Sequence, residues 1–241
     1  MKGCMVNRKH FEKIIEKFDF YDVEPDIFLD VGVGGPYPYE AWWFKEKWPD
    51  IGVVGFEPCI KRYLKLIPEK FTVGSNTKLV TACWCGGGFP GQLLREAVTD
   101  LVGDYSGYMN DYDFRVSEDI DEDDPYKVTN VLSTTIDELI FNRLKVGGDD
   151  KYKFESAFIW ADIEGGEMTL LKGATKSLEE KRIFGLNLEL WPNPPVKDWA
   201  SPDEVVEYLE KYGYYVAFGE EGSYNDWDRK SQMDFFFMRK D

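Results

Sequence analysis

Apolar runs alternate with amphipathic segments along most of this 241-residue chain. Residues 51–58 are almost wholly apolar, and residues 26–30 hold an apolar core between two aspartates, as is typical of strands that other elements cover on both faces. Residues 8–18 instead place Phe11, Ile14 and further apolar side chains at helical spacing. Strands that alternate with helices predict an α/β fold, in which a mainly parallel sheet carries helices on both faces.

The same pattern predicts the individual elements. The predicted strands are 26–30, 51–58, 78–84, a short strand from 127, the start of 156–167, 182–190, 214–219 and 233–239. The predicted helices are 8–18, 39–48, 61–67, one capped by Thr134 or Thr135, 167–178 and 201–213. No helical pattern separates the last two strands, so we expect them to form an antiparallel hairpin at one edge of the sheet.

The chain shows no linker-like stretch and no internal repeat, which predicts a single domain over residues 1–241 with its leading helix inside residues 1–25. Residues 100–124 contain ten acidic residues and only one basic residue, Arg115. We expect an insertion over about residues 100–126, which is either a solvated loop or a lid over a substrate.

Composition excludes several function classes. The formal net charge of -16 at pH 7 repels phosphate backbones, so we expect no nucleic-acid partner. No apolar run approaches the roughly 20 residues of a membrane helix, and residues 1–18 mix charge with apolar residues, unlike a signal peptide. We therefore expect a cytoplasmic protein without a membrane partner. His10 is the single histidine, so a catalytic base is expected to be a carboxylate, Lys or Tyr.

The first predicted strand runs into a glycine turn, D-I-F-L-D-V-G-V-G-G at residues 26–35. A phosphate-binding loop of the GxxxxGK[ST] type is excluded, because no Lys-Ser or Lys-Thr follows. A dinucleotide turn of the GxGxxG type is disfavoured, because Tyr37 stands where the third glycine lets a helix pack closely.

S-adenosylmethionine has no phosphates and does not need that third glycine. Gly32 and Gly34 permit close approach of the backbone to its amino-acid and ribose portions. Glu57 ends the second strand, where a carboxylate suits the ribose diol, and Asp30 can accept from the amino group. A competing interpretation gives Asp30 and Glu57 only local structural roles.

Further carboxylates follow later strands. Asp162 and Glu164 are two residues apart, so they share one face if the strand continues, and Asp162 is the first candidate for a general base, before Glu164. Together with Glu189 they are also a possible Mg2+ site. Glu167 is explained by the dipole of the helix that it begins. At the end of the third strand, Cys83 and Trp84 are candidates to border the cofactor's adenine, or Trp84 closes the core.

The motifs DVGVGG, VVGFEP, TTIDEL, WADIEGGEMTLLKGA and NLEL, in this order over residues 26–190, resemble the FkbM-type methyltransferases. The resemblance implies a Rossmann-like, seven-stranded methyltransferase fold and S-adenosylmethionine as cofactor. It also implies O-methylation of a hydroxyl on a sugar or other small natural product. The chain departs from the family pattern at Val33, at Trp160 and Ala161, and in its acidic segment.

Two other functions remain open from the sequence. One is a binding module that holds a nucleotide-like ligand without catalysis, and the other is a nicotinamide-dependent oxidoreductase. The sequence does not specify the oligomeric state.

Overall fold

The computed structural model describes residues 8–33, 39–59, 80–84, 89–109, 114–115, 127–143, 156–193 and 199–240. Gly34 and the helix predicted over 61–67 lie outside these residues. The strands are β1 Ile27–Val31, β2 Gly52–Phe56, β3 Val80–Trp84, β4 Phe89–Leu94, β5 Ala97–Val98, β6 Gly103–Met109, β7 Phe114–Arg115, β8 Lys127–Thr134, β9 Ala157–Ala161, β10 Ile183–Leu190, β11 Tyr214–Gly219 and β12 Met233–Arg239.

Eight of these strands form the main sheet, in the order β11-β12-β10-β9-β1-β2-β4-β3. The central strands β10, β9, β1, β2 and β4 run parallel to one another. At one edge β12 is antiparallel to β10 and β11 is antiparallel to β12. At the other edge β3 is antiparallel to β4. The protein is therefore α/β with a mainly parallel central sheet, and that sheet has eight described strands where seven were expected.

The helices connect these strands as the pattern predicted for most of the chain. They are α1 Arg8–Phe20, α2 Tyr39–Lys47, α3 Ile136–Glu138 with a π-helical continuation Leu139–Arg143, α4 Glu167–Lys172, α5 Thr175–Glu179, α6 Pro202–Lys211 and a 3-10 turn Tyr224–Asp226. Thr135 is the N-cap of α3, since its side chain accepts from the Glu138 amide at 2.9 Å. Ser201 and Glu204 form a capping box at the start of α6, with Pro202 at its first position, as predicted. The single helix predicted over 167–178 is two short helices, broken at Gly173 and Ala174.

An aromatic layer lies between the main sheet and helices α1 and α2. Phe28 of β1 stacks on Phe44 of α2 at 4.4 Å between ring centroids. Phe18 of α1 packs edge-on against Phe158 of β9 at 5.3 Å. Alternate strand residues point to the opposite face, where a mostly aliphatic cluster packs under the later helices. Burial on both faces explains why the central strands read as continuous apolar runs.

Two strand predictions were incomplete. The sequence pattern missed β4, which is the strand that pairs with β2, and β3 lies outside it as an antiparallel edge strand. Part of the acidic segment was expected to be a loop, yet residues 103–109 and 114–115 are strands β6 and β7 of a second sheet with the order β5-β8-β6-β7. The rest of that segment, residues 110–113 and 116–126, lies outside the described residues.

Across the described part of the chain, no helix has the length and apolar character that crossing a membrane requires.

Candidate functional site

The carboxyl ends of β1, β2 and β9 meet at one edge of the main sheet. Asp30 of β1 is level with Gly55 of β2 and with Trp160 of β9. Residues that follow these strands are therefore neighbours in space. In open parallel sheets this edge is where ligands bind.

Gly32 makes the turn after β1 with a left-handed backbone, at φ +87°. A Cβ at this position would lie 2.0 Å from the backbone carbonyl oxygen of Asp162, which follows β9. The neighbouring strand thus requires a glycine here, independently of any ligand. The turn brings bare backbone to the strand-end edge, which is the property that the sequence predicted for a cofactor turn.

Asp30 is buried at the carboxyl end of β1, with 3% of its surface exposed. Among the described residues its Oδ2 atom has no hydrogen-bond partner. Burial raises the pKa of Asp30 well above its ordinary value, and the nearby Glu40, Asp162 and Glu57 raise it further. A buried carboxyl with an unpartnered oxygen is costly unless a ligand supplies a donor.

Glu57 follows β2 and is buried. Its Oε1 accepts a hydrogen bond from the Cys59 amide at 2.8 Å, which orders the turn after the strand. The structure therefore places Glu57 at the predicted edge and gives it a local structural role there as well.

Asp162 and Glu164 do not share the face of a continuing strand, contrary to the expectation from their spacing. β9 ends at Ala161, and the Asp162 amide still donates to the carbonyl of Val31 at 3.0 Å. Glu164 then takes a left-handed backbone at φ 51°, a conformation that is uncommon for a residue with a side chain. Outliers of this kind concentrate at functional sites.

Gly165 continues this turn against an aromatic ring. A Cβ on Gly165 would lie 1.9 Å from the ring of Trp199, which in turn packs edge-on against Trp191 at 5.9 Å between centroids. Trp199 is buried against the loop after β9. The intervening residues 194–198 lie outside the described part of the chain.

Glu167 belongs to the candidate site, although the sequence interpretation explained it by the helix dipole alone. It is 5% exposed, and its Oε1 has no partner among the described residues. Burial, together with the charge of Asp162, raises its pKa to about 8, although backbone amides of the same loop act in the opposite direction. A helix dipole alone would have left this residue at the surface and lowered its pKa.

Two more acids face each other across β10 and β12. Glu189 and Asp234 are directly paired in the antiparallel register. Burial is the main cause that raises the pKa of Glu189 to about 10. The charges of nearby acids raise it further, in the order Asp162, Asp234, Glu164 and Glu167. Burial and then Asp162 raise the pKa of Asp234 to about 8. The Trp191 indole donates to Glu189 Oε2 at 3.1 Å, so Glu189 also orders the turn after its strand.

Glu40 completes the acid cluster, which we define as Asp30, Glu40, Glu57, Asp162, Glu164, Glu167, Glu189 and Asp234. Glu40 lies in the first turn of α2, and burial followed by the charge of Asp162 raises its pKa to about 7. Asp162 acts on the pKa of five other members of the cluster, so it occupies a central position among them.

A buried polar chain connects this cluster to α1. His10 is 1% exposed, and its Nε2 lies 2.7 Å from Asn187 Oδ1, so Nε2–H donates to that oxygen. Asn187 then donates from Nδ2 to Asp234 Oδ1 at 3.2 Å. Burial lowers the pKa of His10, which keeps the ring neutral. The single histidine therefore orients Asn187 from inside the core.

The sequence interpretation missed Glu40, Asp234 and the chain through His10 and Asn187. An acid inside the apolar run 233–239 was the available signal for Asp234, since an unpaired charge in a buried strand is costly. Glu40 carried no such signal, because acids are common in the first turn of a helix.

Cys83 and Trp84 are not at this edge. In β3 they pair with Pro90 and Phe89 of β4, and β4 runs parallel to β2 with Gln92 level with Val54. The backbone of both residues is therefore level with the start of β2, at the opposite end from Glu57. The expectation that they border the cofactor assumed that β3 runs parallel to β2, whereas β3 is antiparallel to β4 and its end lies at the other end of β2.

The predicted magnesium site is not formed either. No group of three or more His, Cys, Asp or Glu side chains is arranged to hold a metal ion within the ranges that the structure describes. Asp162, Glu164 and Glu189 influence one another through their charges, yet they do not converge on a common point as metal ligands must.

The sheet and its acid-lined edge define the class: an α/β protein whose parallel strands end at one acidic edge, the place where such sheets bind ligands. A family model described as the methyltransferase FkbM domain matches residues 30–216, well over half of the chain. The chain therefore belongs to the FkbM methyltransferase family, and the resemblance seen in its motifs is confirmed. No curated protein matches it.

Proposed function

We propose that this methyltransferase uses S-adenosylmethionine and methylates a hydroxyl of a small molecule, a sugar or another natural product. The observation that carries the proposal is the acid cluster around the Gly32 turn, in which Asp30 is buried and its Oδ2 has no hydrogen-bond partner among the described residues. The cofactor's ammonium and sulfonium groups are cations, and its ribose presents two hydroxyl donors. A carboxylate-rich edge with such an acceptor oxygen matches both requirements.

Three residues would hold the cofactor. The Gly32 turn allows the amino-acid portion to approach the backbone, Asp30 accepts from the ammonium group, and Glu57 accepts from the ribose hydroxyls. When bound, the cofactor supplies an activated methyl group on its sulfonium to a nucleophile in line with it. We expect proximity and orientation to provide most of the rate acceleration.

The chain's own contribution to the chemistry is a carboxylate that takes the proton from the acceptor hydroxyl. Asp162 is our first candidate for this general base, because it sits at the centre of the acid cluster, next to the Gly32 turn. Glu164 is the second candidate, since its left-handed backbone aims a side chain from the same loop. A negatively charged acceptor such as a nucleic acid is disfavoured by the charge of this edge.

The test is calorimetric titration of S-adenosylmethionine into the wild type and into Asp30→Asn, Glu57→Gln and Glu57→Ala. We expect each variant to weaken binding at least about tenfold, or about 1.4 kcal/mol. Glu57→Gln removes the charge but keeps an acceptor for the Cys59 amide, whereas Glu57→Ala removes both. Comparison of the two variants separates the effect of the charge from the effect of the hydrogen bond that orders the turn after β2. Glu24→Gln changes an exposed acid away from the edge and should bind like the wild type.

Absence of binding to the wild type would overturn the cofactor assignment. NAD+ and NADPH titrated in parallel would then show whether the Gly32 turn serves a nicotinamide cofactor instead. Binding that Asp30→Asn and Glu57→Gln leave unchanged would move the cofactor site away from this edge.

A further inference from the structure

The acid cluster extends well beyond the part of the edge that the Gly32 turn and β2 define. Glu189 and Asp234 belong to β10 and β12, which lie two and three strands from β1 in the sheet order. Neighbouring strands are about 4.8 Å apart, so the acids span about 14 Å from Asp30 to Asp234. The cofactor's ammonium group accounts for the β1 end of this span. It does not account for the β10 and β12 end.

Glu167 provides a second observation at that end. Glu167 is only 5% exposed, and its Oε1 has no hydrogen-bond partner among the described residues. Its charge acts on Glu189, and the charge of Asp162 acts on it, so the three carboxyls are close enough to interact. A buried carboxyl oxygen that faces other carboxyls and has no donor indicates a ligand that brings donors.

Hydrogen bonds from the protein core fix the position of the Asp234 carboxyl. Asn187, which is fully buried, donates to Asp234 Oδ1, and His10 fixes the orientation of Asn187. These buried polar groups therefore orient the Asp234 carboxyl. The direction of these hydrogen bonds leaves Asp234 as an acceptor that faces Glu189 across the strand pair.

We propose that the edge formed by Asp162, Glu167, Glu189 and Asp234 recognises a cationic group on the methyl acceptor, namely a protonated amine. The inference rests on the proposed function and narrows its acceptor to an amino-bearing hydroxyl compound. An ammonium group brings three donors and one positive charge, which satisfies several carboxylates at once. A neutral sugar brings donors but leaves the mutual repulsion of the acids in place.

A divalent metal is the competing occupant of an acidic edge. The described acids are spread over β9, β10, β12 and the loop before α4, and no three of them are arranged as metal ligands. An ammonium group tolerates this spread because its donors point in different directions and its contacts need no fixed coordination geometry.

The test compares D-glucosamine with D-glucose, which differ by one protonated amino group. Each is titrated into the wild type loaded with S-adenosylhomocysteine. We expect glucosamine to bind at least about tenfold more tightly than glucose. Glu189→Gln and Asp234→Asn should each remove most of this preference, and Glu207→Gln, an exposed acid on α6, should leave it unchanged. Both test variants are close in shape to the wild type, and a melting curve verifies that they fold.

Equal binding of the two sugars, or binding of neither, would overturn the inference. Displacement of glucosamine by Mg2+ alone would also overturn it, because the edge would then be a metal site. Loading with S-adenosylhomocysteine separates this inference from the proposed function. If loading succeeds and the amine preference is missing, only the acceptor inference fails, and if loading itself fails, the cofactor assignment fails.

Discussion

Gly32 is required for two reasons, its backbone conformation and the space that its missing side chain leaves. Its left-handed backbone makes the turn after β1, and its missing side chain makes room for the Asp162 carbonyl. Any change at Gly32 must therefore move β9 as well as β1. The loop that carries the candidate base is coupled to the turn that carries the cofactor site.

We predict that Gly32→Ala lowers stability by several kcal/mol and abolishes cofactor binding, because a Cβ there would meet backbone at 2.0 Å. Gly103→Ala is the matched control. Gly103 also has a positive φ, at +130°, but a Cβ there would meet nothing within 4 Å. Gly103→Ala should cost only the backbone strain, about 1–2 kcal/mol. Chemical denaturation of both variants checks the difference, and equal losses would show that the contact with Asp162 is unimportant.

The placement of candidate site residues could be predicted from sequence where a pattern marked them. Asp30, Glu57 and Asp162 each follow an apolar run, and the structure puts all three at one edge. Asp234 and Glu40 could not be placed in this way. Their position depends on which strands and helices become neighbours, and sequence spacing does not specify this when the order of strands departs from the order in the chain.

Asp137, in the TTIDEL motif, is a structural link between elements. Its carboxyl accepts from the amides of Lys176 and Ser177 at 2.9 and 2.7 Å and from the Ser177 hydroxyl at 2.6 Å. Its own amide donates to the carbonyl of Gly173 at 2.9 Å. A short helix, α5, is thus capped by a residue of α3, about 40 positions away along the chain.

We predict that Asp137→Ala destabilises the protein by about 2–4 kcal/mol, because it removes an acceptor from three donors, one of them on the fully buried Ser177. Asp137→Asn keeps one acceptor oxygen and should lose about half as much. The free energies of unfolding of both variants check this. S-adenosylmethionine affinity should stay near that of the wild type below the unfolding temperature, and a selective loss of affinity would contradict a purely structural role.

Strand β4 shows why element prediction failed where it did. Its sequence, Phe89–Leu94, contains Pro90 and Gly91, two residue types that are depleted in strands. Pro90 pairs with Cys83 of β3 and lies before the parallel pairing with β2 begins at Gln92. The tertiary position overrides the local preference, and a local reading of the sequence cannot detect that.

The acid cluster sets the pH dependence of the protein as a whole. The folded-state pKa is about 8 for Glu167 and Asp234 and about 10 for Glu189, all above the value of an unfolded carboxyl. The folded state therefore binds more protons than the unfolded state above about pH 4.5, and stability falls as the pH rises. His10, whose pKa burial lowers, acts in the opposite sense and costs stability as the pH falls through about 6.5.

We predict that the ligand-free protein is most stable near about pH 4.5–5, because several carboxyls with raised pKa outweigh the single opposing His10, and that it melts several degrees lower at about pH 8.5. Glu189→Gln should flatten the alkaline decline, since the amide cannot ionise and keeps an acceptor for Trp191. Melting temperatures of the wild type and this variant across that range check the prediction. An unchanged slope in Glu189→Gln would show that Glu189 is not buried among charges as described.

The hydrogen bond between His10 and Asn187 joins positions 177 residues apart in the chain. During synthesis on the ribosome, α1 emerges long before β10 exists, and the aromatic layer on its inner face also needs Phe236 of β12. The helix therefore completes its contacts only after β10 and β12 have been made. Until then part of its aromatic face stays exposed, which makes α1 a segment that a chaperone would protect.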